Sequence, residues 1–271
     1  MCYSKGVQAV TGGIILASAV YFYSSYAVKF HALGKKWLVP FLRNVIAGFA
    51  MIGGHQIFEY LSLETENQIV YKIGLLISIS SMYFFLRSLE VLLNRNFRSW
   101  ITFVFVGAIA LQMFFMNMPF GSTRFFLHHD SANAWAFAWM LLLIYFHVCA
   151  WRGSRFLKGD HVKRSVIFYF LATLDVSLLL SVIYTAASYL LLSHNVCSAA
   201  PSVWCTFFVI QVFTLPFFLS ALPRLLDAPE KKTIQGVGET IWYFIISAMI
   251  LTGFSLLVPF FGCLSQKFVF P

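Results

Sequence analysis

The chain has 271 residues, of which 60% are hydrophobic and 11% are charged, and its mean hydropathy is +0.80. A soluble globular domain carries about 25% charged residues, so this composition excludes a soluble protein and indicates an integral membrane protein. The formal net charge of +9 does not indicate a nucleic-acid partner, because Lys and Arg lie between apolar segments instead of forming one basic stripe. The five cysteines are too few and too scattered for a disulfide scaffold, and they form no CxxC motif.

Apolar segments separated by short charged loops predict an all-α, polytopic transmembrane helical bundle whose main partner is the lipid bilayer. The segments lie at about 7–28, 38–62, 69–93, 100–120, 134–151, 165–193, 201–226 and 240–263, and together they form a single integral membrane domain over residues 1–271. Eight helices are the principal prediction. Seven are the alternative, because the fourth segment ends in Met116-Asn117-Met118-Pro119 and the fifth is short.

Charge in the loops predicts the orientation of the bundle. Most Lys and Arg residues follow the first, third, fifth and seventh segments, and the opposite side carries only Lys5, Lys72, Arg124 and Lys267. The positive-inside rule therefore places both termini outside. Residues at segment ends are expected to fix the bundle at the interface, with Arg87 and Glu90 as an ion pair. The tryptophans expected to serve as interfacial anchors are Trp37, Trp100, Trp135, Trp151 and Trp204.

The stretch Gly53-Gly54-His55-Gln56-Ile57-Phe58-Glu59-Tyr60 places an imidazole, an amide and a carboxylate inside the second apolar segment. His55 and Glu59 are four residues apart, so they lie on one face of a helix. Ionisable groups at membrane depth are costly and often mark functional sites. A His-x-x-x-Glu pair can supply two ligands to zinc, copper or iron.

Further metal ligands are expected on the outer side of the membrane, where the predicted topology places both this pair and the N-terminus. Removal of Met1 would leave an N-terminal cysteine, whose amine and thiol form a strong bidentate ligand; the alternative is a small residue at a frayed end. The expected transition-metal site consists of Cys2, His55, Glu59, His128 and His129.

Three other interpretations stay open. His55 and Glu59 can instead hydrogen-bond each other and neighbouring helices, as buried polar residues do in membrane bundles. Glu59 can also form a proton or ion pathway with Asp175, which lies near the middle of the sixth segment, in a proton-coupled small-molecule transporter. In the third interpretation the chain is an accessory subunit of a complex with other membrane proteins.

The sequence does not favour a haem site, and it contains no recognisable catalytic motif. His147 lies near the inner end of the fifth segment, whereas His55 lies near the outer end of the second, so the two cannot be axial partners of one iron. No GxSxG, HExxH or Walker A motif is present, and the sequence names no catalytic residue.

Two short motifs resemble an uncharacterised bacterial family of multi-pass membrane proteins. They are the opening Met1-Cys2-Tyr3-Ser4 and, some fifty residues later, His55-Gln56-Ile57-Phe58-Glu59. Members of that family begin Met-Cys-aromatic-Ser and carry His-Gln-x-x-Glu in the second helix. The resemblance implies a bacterial inner-membrane protein, draws attention to Cys2, His55 and Glu59, and implies no established activity.

Overall fold

The computed structural model describes residues 5–32, 34–115, 130–157, 160–192 and 203–227. These residues form seven α-helices and no strand. In chain order the helices are α1 (Lys5–Ala32), α2 (Leu38–Thr65), α3 (Gln68–Leu93), α4 (Ile101–Phe115), α5 (Asp130–Ser154), α6 (His161–Leu192) and α7 (Val203–Asp227). Six of them are long and apolar enough to cross a membrane, which confirms the prediction of an all-α, multi-pass membrane protein.

The first seven predicted segments each coincide with one helix. The fourth, predicted over 100–120, is described only in part, because α4 is described over 15 residues and residues 116–120 lie outside the described ranges. The eighth segment, at 240–263, lies outside the described residues. The count of eight spans and the outside location of both termini therefore stay predictions.

Helix α2 lies between α1 and α3 and packs most extensively against these two neighbours. The contact with α1 is close because glycines meet there: a methyl group on Gly12 would lie 2.9 Å from the Gly53 carbonyl oxygen. Small residues allow helix backbones to approach closely in membranes, where packing rather than hydrophobicity drives association. This glycine contact brings the polar residues near the start of α1 against the end of α2.

A tight connection of two residues joins α2 to α3. Glu66 adopts a left-handed conformation with φ of 51°, which ends α2, and Asn67 begins the next helix. The Asn67 side-chain oxygen accepts hydrogen bonds from the backbone N–H groups of Ile69 and Val70, as a helix N-cap does. The two helices therefore form an antiparallel hairpin whose facing residues can form one site.

The core of the described bundle contains a cluster of aromatic rings in edge-to-face and tilted contacts. Phe170 of α6 is its centre, with ring centroids 5.6 Å from those of Phe85 and Phe146 and 5.2 Å from that of Phe218. Such pairs add to the stabilisation that apolar burial provides. These phenylalanines thus join α3, α5, α6 and α7.

The interfacial predictions are confirmed for one pair and wrong for one tryptophan. Arg87 Nη1 lies 2.6 Å from Glu90 Oε2, so the expected ion pair is present. Trp100 and Trp151 are exposed, as anchors would be. Trp135 is instead 4% exposed, and its indole N–H donates to Ser78 Oγ at 2.9 Å. It therefore joins α5 to α3 inside the bundle.

Candidate functional site

The polar residues of α2 are buried together on its inward face. His55, Gln56 and Glu59 are each no more than 3% exposed. His55 Nδ1 lies 3.0 Å from the carbonyl oxygen of Gly74 on α3. Because a carbonyl oxygen can only accept, Nδ1 carries the proton and donates it to this bond.

Gly74 permits this contact because it has no side chain. A methyl group there would lie 3.0 Å from Phe58 Cβ and 3.5 Å from His55 Nδ1. The glycine thus lets the α3 backbone approach α2 closely enough to hold the imidazole. A backbone bond of this kind determines which nitrogen of a histidine is free to bind a ligand.

Two aromatic rings pack against the imidazole. The His55 ring centroid lies 5.0 Å from that of Phe208 on α7 and 6.0 Å from that of Trp135 on α5. Trp135 is itself held by its hydrogen bond to Ser78. Two ring contacts and one hydrogen bond therefore hold the imidazole in one orientation.

The second nitrogen of His55 faces Glu59 across a short gap. Nε2 lies 3.7 Å from Glu59 Oε2, which is too long for a hydrogen bond. Oε2 is buried and has no hydrogen-bond partner among the described residues. The pair consequently consists of a fixed imidazole nitrogen and a carboxylate oxygen that face each other with no direct bond between them.

Helix α1 closes the site with two polar side chains that are also buried, Gln8 and Thr11. The Gln8 amide lies beside Glu59, and Thr11 Oγ1 donates to Gln56 Oε1 at 3.4 Å. The Gln8 amide and Gln56 Nε2 have no hydrogen-bond partner in the described part of the chain. Buried polar groups are normally paired, so this cluster has capacity for a further polar species.

The described residues bring together two of the five predicted metal ligands, His55 and Glu59. Cys2, His128 and His129 lie outside the described residues. Within the described ranges, no group of three or more His, Cys, Asp or Glu side chains is arranged to hold a metal ion. This part of the chain therefore supplies a two-ligand arrangement.

Asp175 lies in a different part of the bundle from Glu59. Its Oδ1 is 2.7 Å from His147 Nε2, so α6 is joined to α5 by a direct hydrogen bond. The Asp175 side chain is 54% exposed, whereas Glu59 is buried between α1 and α3. The structure therefore does not bring the two carboxylates of the predicted pathway together.

Sequence reasoning missed five residues around His55 and Glu59: Gln8, Thr11, Gly74, Trp135 and Phe208. A signal was available for two of them, because Gln8 and Thr11 are polar residues three apart in an apolar helix and so share one face. Nothing in the sequence distinguished the other three, since glycine and aromatic residues are common throughout membrane helices.

Comparison of the chain with protein-family models, curated proteins and solved structures found no match to any of them. The functional conclusion therefore depends on the chemistry of the buried site in a multi-pass membrane protein.

Proposed function

We propose that this multi-pass membrane protein binds a transition-metal ion, zinc, copper or iron, between His55 and Glu59. One observation supports the proposal above all others: His55 Nε2 and Glu59 Oε2 face each other at 3.7 Å, and Oε2 has no hydrogen-bond partner in the described residues. Two such acceptors in a buried site repel each other unless a cation lies between them.

The separation of the two atoms suits a shared metal ion. Zinc binds imidazole nitrogen at about 2.0–2.1 Å and carboxylate oxygen at about 2.0–2.2 Å. With these bond lengths, a separation of 3.7 Å corresponds to a nitrogen–metal–oxygen angle of about 120–135°. Such an angle needs only a small adjustment to become tetrahedral.

The hydrogen bonds around His55 are also those expected for a metal ligand. A metal-binding histidine usually donates its other ring N–H to a carbonyl or carboxylate. His55 Nδ1 donates to the Gly74 carbonyl oxygen, which leaves the Nε2 lone pair directed towards Glu59. An ion pair between protonated His55 and Glu59 is less favourable here, because burial of two charges is costly without a hydrogen bond between them.

The remaining ligands in this proposal are Cys2 and His128 or His129. Only two residues separate Cys2 from the start of α1 at Lys5, and Gln8 of that helix lies beside Glu59. A thiolate and a second imidazole would complete a four-coordinate site of the kind that zinc prefers. With fewer protein ligands, the site would keep a position open for water or substrate.

Elemental analysis of the purified full-length protein tests the proposal. The wild type and the His147→Ala variant are expected to contain one metal ion per chain, and His55→Ala and Glu59→Gln are expected to lose it. His147 is the matched control because it is also a membrane-embedded histidine beside a carboxylate, but its 2.7 Å contact with Asp175 leaves no room for an ion. Absence of stoichiometric metal from the wild type after purification without chelator would show that the metal proposal is wrong.

A further inference from the structure

A second polar site lies at the other end of α3, away from His55. An open cleft of about 310 Å³ is lined by Arg87, Glu90, Val91, Asn94, Arg95 and Asn96. These residues occupy the last two turns of α3 and the first part of the loop to α4. Its size is at the lower end of the range for small-ligand sites.

The carboxylate in this cleft is fully engaged by the protein. Glu90 Oε2 accepts from Arg87 Nη1 at 2.6 Å and from Ser99 Oγ at 3.1 Å. Its Oε1 accepts from the backbone N–H groups of Phe97 and Ser99, both at 3.0 Å. With four donors satisfying it, Glu90 holds the α3–α4 loop in place, and its charge is compensated by Arg87.

The cleft consequently carries one uncompensated positive charge, that of Arg95. Arg95 has no carboxylate partner among the described residues, and its guanidinium lies 4.7 Å from the centre of the Phe156 ring. Stacking on an aromatic ring orients a guanidinium and leaves its N–H edge available for a ligand. The Arg87 side chain is 51% exposed, so it can also donate to a ligand while it pairs with Glu90.

Exposed aromatic residues place this cleft at the depth of lipid headgroups. Trp100 follows the α3–α4 loop, and Trp151 and Phe156 lie at the end of α5; all three are exposed. Amphipathic and aromatic rings at the ends of membrane helices favour the interface between hydrocarbon and water. The cleft is therefore positioned for a phosphate group that is attached to the bilayer.

We infer that this cleft binds the phosphate of an anionic phospholipid headgroup. Arg95 and Arg87 donate to the phosphate oxygens, as paired arginines do in charge-assisted phosphate recognition. The amides of Asn94 and Asn96 line the same cleft and can donate to the glycerol hydroxyls. This inference is independent of the metal site, because it uses none of the residues around His55.

Lipid titration of the full-length protein in detergent, followed by native mass spectrometry, tests the inference. The probes are phosphatidylglycerol, phosphatidylcholine and inorganic phosphate. We expect the wild type to bind phosphatidylglycerol about fivefold more tightly than Arg95→Gln does, since one arginine near the membrane surface contributes about that factor. Arg155→Gln is the matched control, because Arg155 also stacks on an aromatic ring, 3.6 Å from the centre of Trp151, without lining the cleft.

The control variants separate a defined site from general surface attraction. Arg95→Lys keeps the charge and is expected to retain at least half of the binding, which would assign the loss in Arg95→Gln to the missing positive charge. Equal weakening by Arg95→Gln and Arg155→Gln would overturn the inference, as would equal affinity for the two lipids. Competition by inorganic phosphate at the same concentration as the lipid would assign the cleft to a soluble phosphorylated ligand and also overturn it.

Discussion

The close contact between α1 and α2 leads to a quantitative prediction about two adjacent glycines. A methyl group on Gly12 would lie 2.9 Å from both the Gly53 carbonyl oxygen and Ile57 Cδ1, whereas one on Gly13 would meet nothing within 4 Å. Because ordinary contacts begin near 3.4 Å, Gly12→Ala must move α1 away from α2 by about half an ångström. Gly13→Ala needs no movement.

The two substitutions should therefore change stability in different ways. Overpacking of this kind lowers the free energy of unfolding by about 1–3 kcal/mol. On an open helix face, alanine is more stabilising than glycine by between zero and about 1 kcal/mol. We expect Gly12→Ala to be less stable than Gly13→Ala by at least about 1 kcal/mol. The shift also lengthens the Thr11–Gln56 hydrogen bond, which is already 3.4 Å, and so loosens the polar cluster beside Glu59.

The assay is SDS-induced unfolding of the purified protein in mixed micelles, followed by circular dichroism. Gly53→Ala and Gly54→Ala provide a second matched pair on α2, because only the first meets backbone and side chains of α1 at 3.0–3.2 Å. Both pairs should show the same order of stability. Equal unfolding midpoints for Gly12→Ala and Gly13→Ala would refute the proposed glycine contact.

Three further substitutions test other contacts. Glu90→Gln should lower the free energy of unfolding by about 2–3 kcal/mol, because an amide replaces an acceptor of charge-assisted bonds. A loss no larger than that of Lys163→Gln, from a partly exposed pair at 3.5 Å, would contradict this. Trp135→Phe should cost about 1–2 kcal/mol through the lost N–H bond to Ser78, and an equal effect of Trp151→Phe in the same assay would contradict it. Gln8→Leu should weaken metal binding about tenfold in a competitive chelator titration. It should not destabilise the metal-free protein, since the buried Gln8 amide has no hydrogen-bond partner among the described residues. Unchanged metal affinity would show that Gln8 does not support the site.

The helices were largely predictable from the sequence because membrane thickness determines how long an apolar segment must be. Seven of the eight predicted segments coincide with helices in the described residues. The placement of His55 and Glu59 on one buried face was also predictable, since it follows from four-residue spacing on a helix.

The surroundings of that pair were not predictable, because they depend on which helices pack together. Nothing local to Gly74 shows that its carbonyl oxygen meets His55, and the two are 19 positions apart. Trp135 lies near a segment end, where an indole N–H can be satisfied by headgroups or by another helix; here Ser78 satisfies it. Asp175 was correctly recognised as a charge within a helix, but its partner His147 became visible only from the packing of α5 against α6.

X-ray absorption at the metal edge tests the central claim most directly, because it reports the atoms bound to the ion. For the wild-type protein we expect nitrogen and oxygen ligands at about 2.0–2.2 Å, imidazole scattering at longer range, and a sulfur ligand at about 2.3 Å if Cys2 binds. The imidazole contribution should fall in His55→Ala supplied with the same metal and stay unchanged in His147→Ala. A protein without a bound metal, or a spectrum that His55→Ala leaves unchanged, would contradict a metal site between His55 and Glu59.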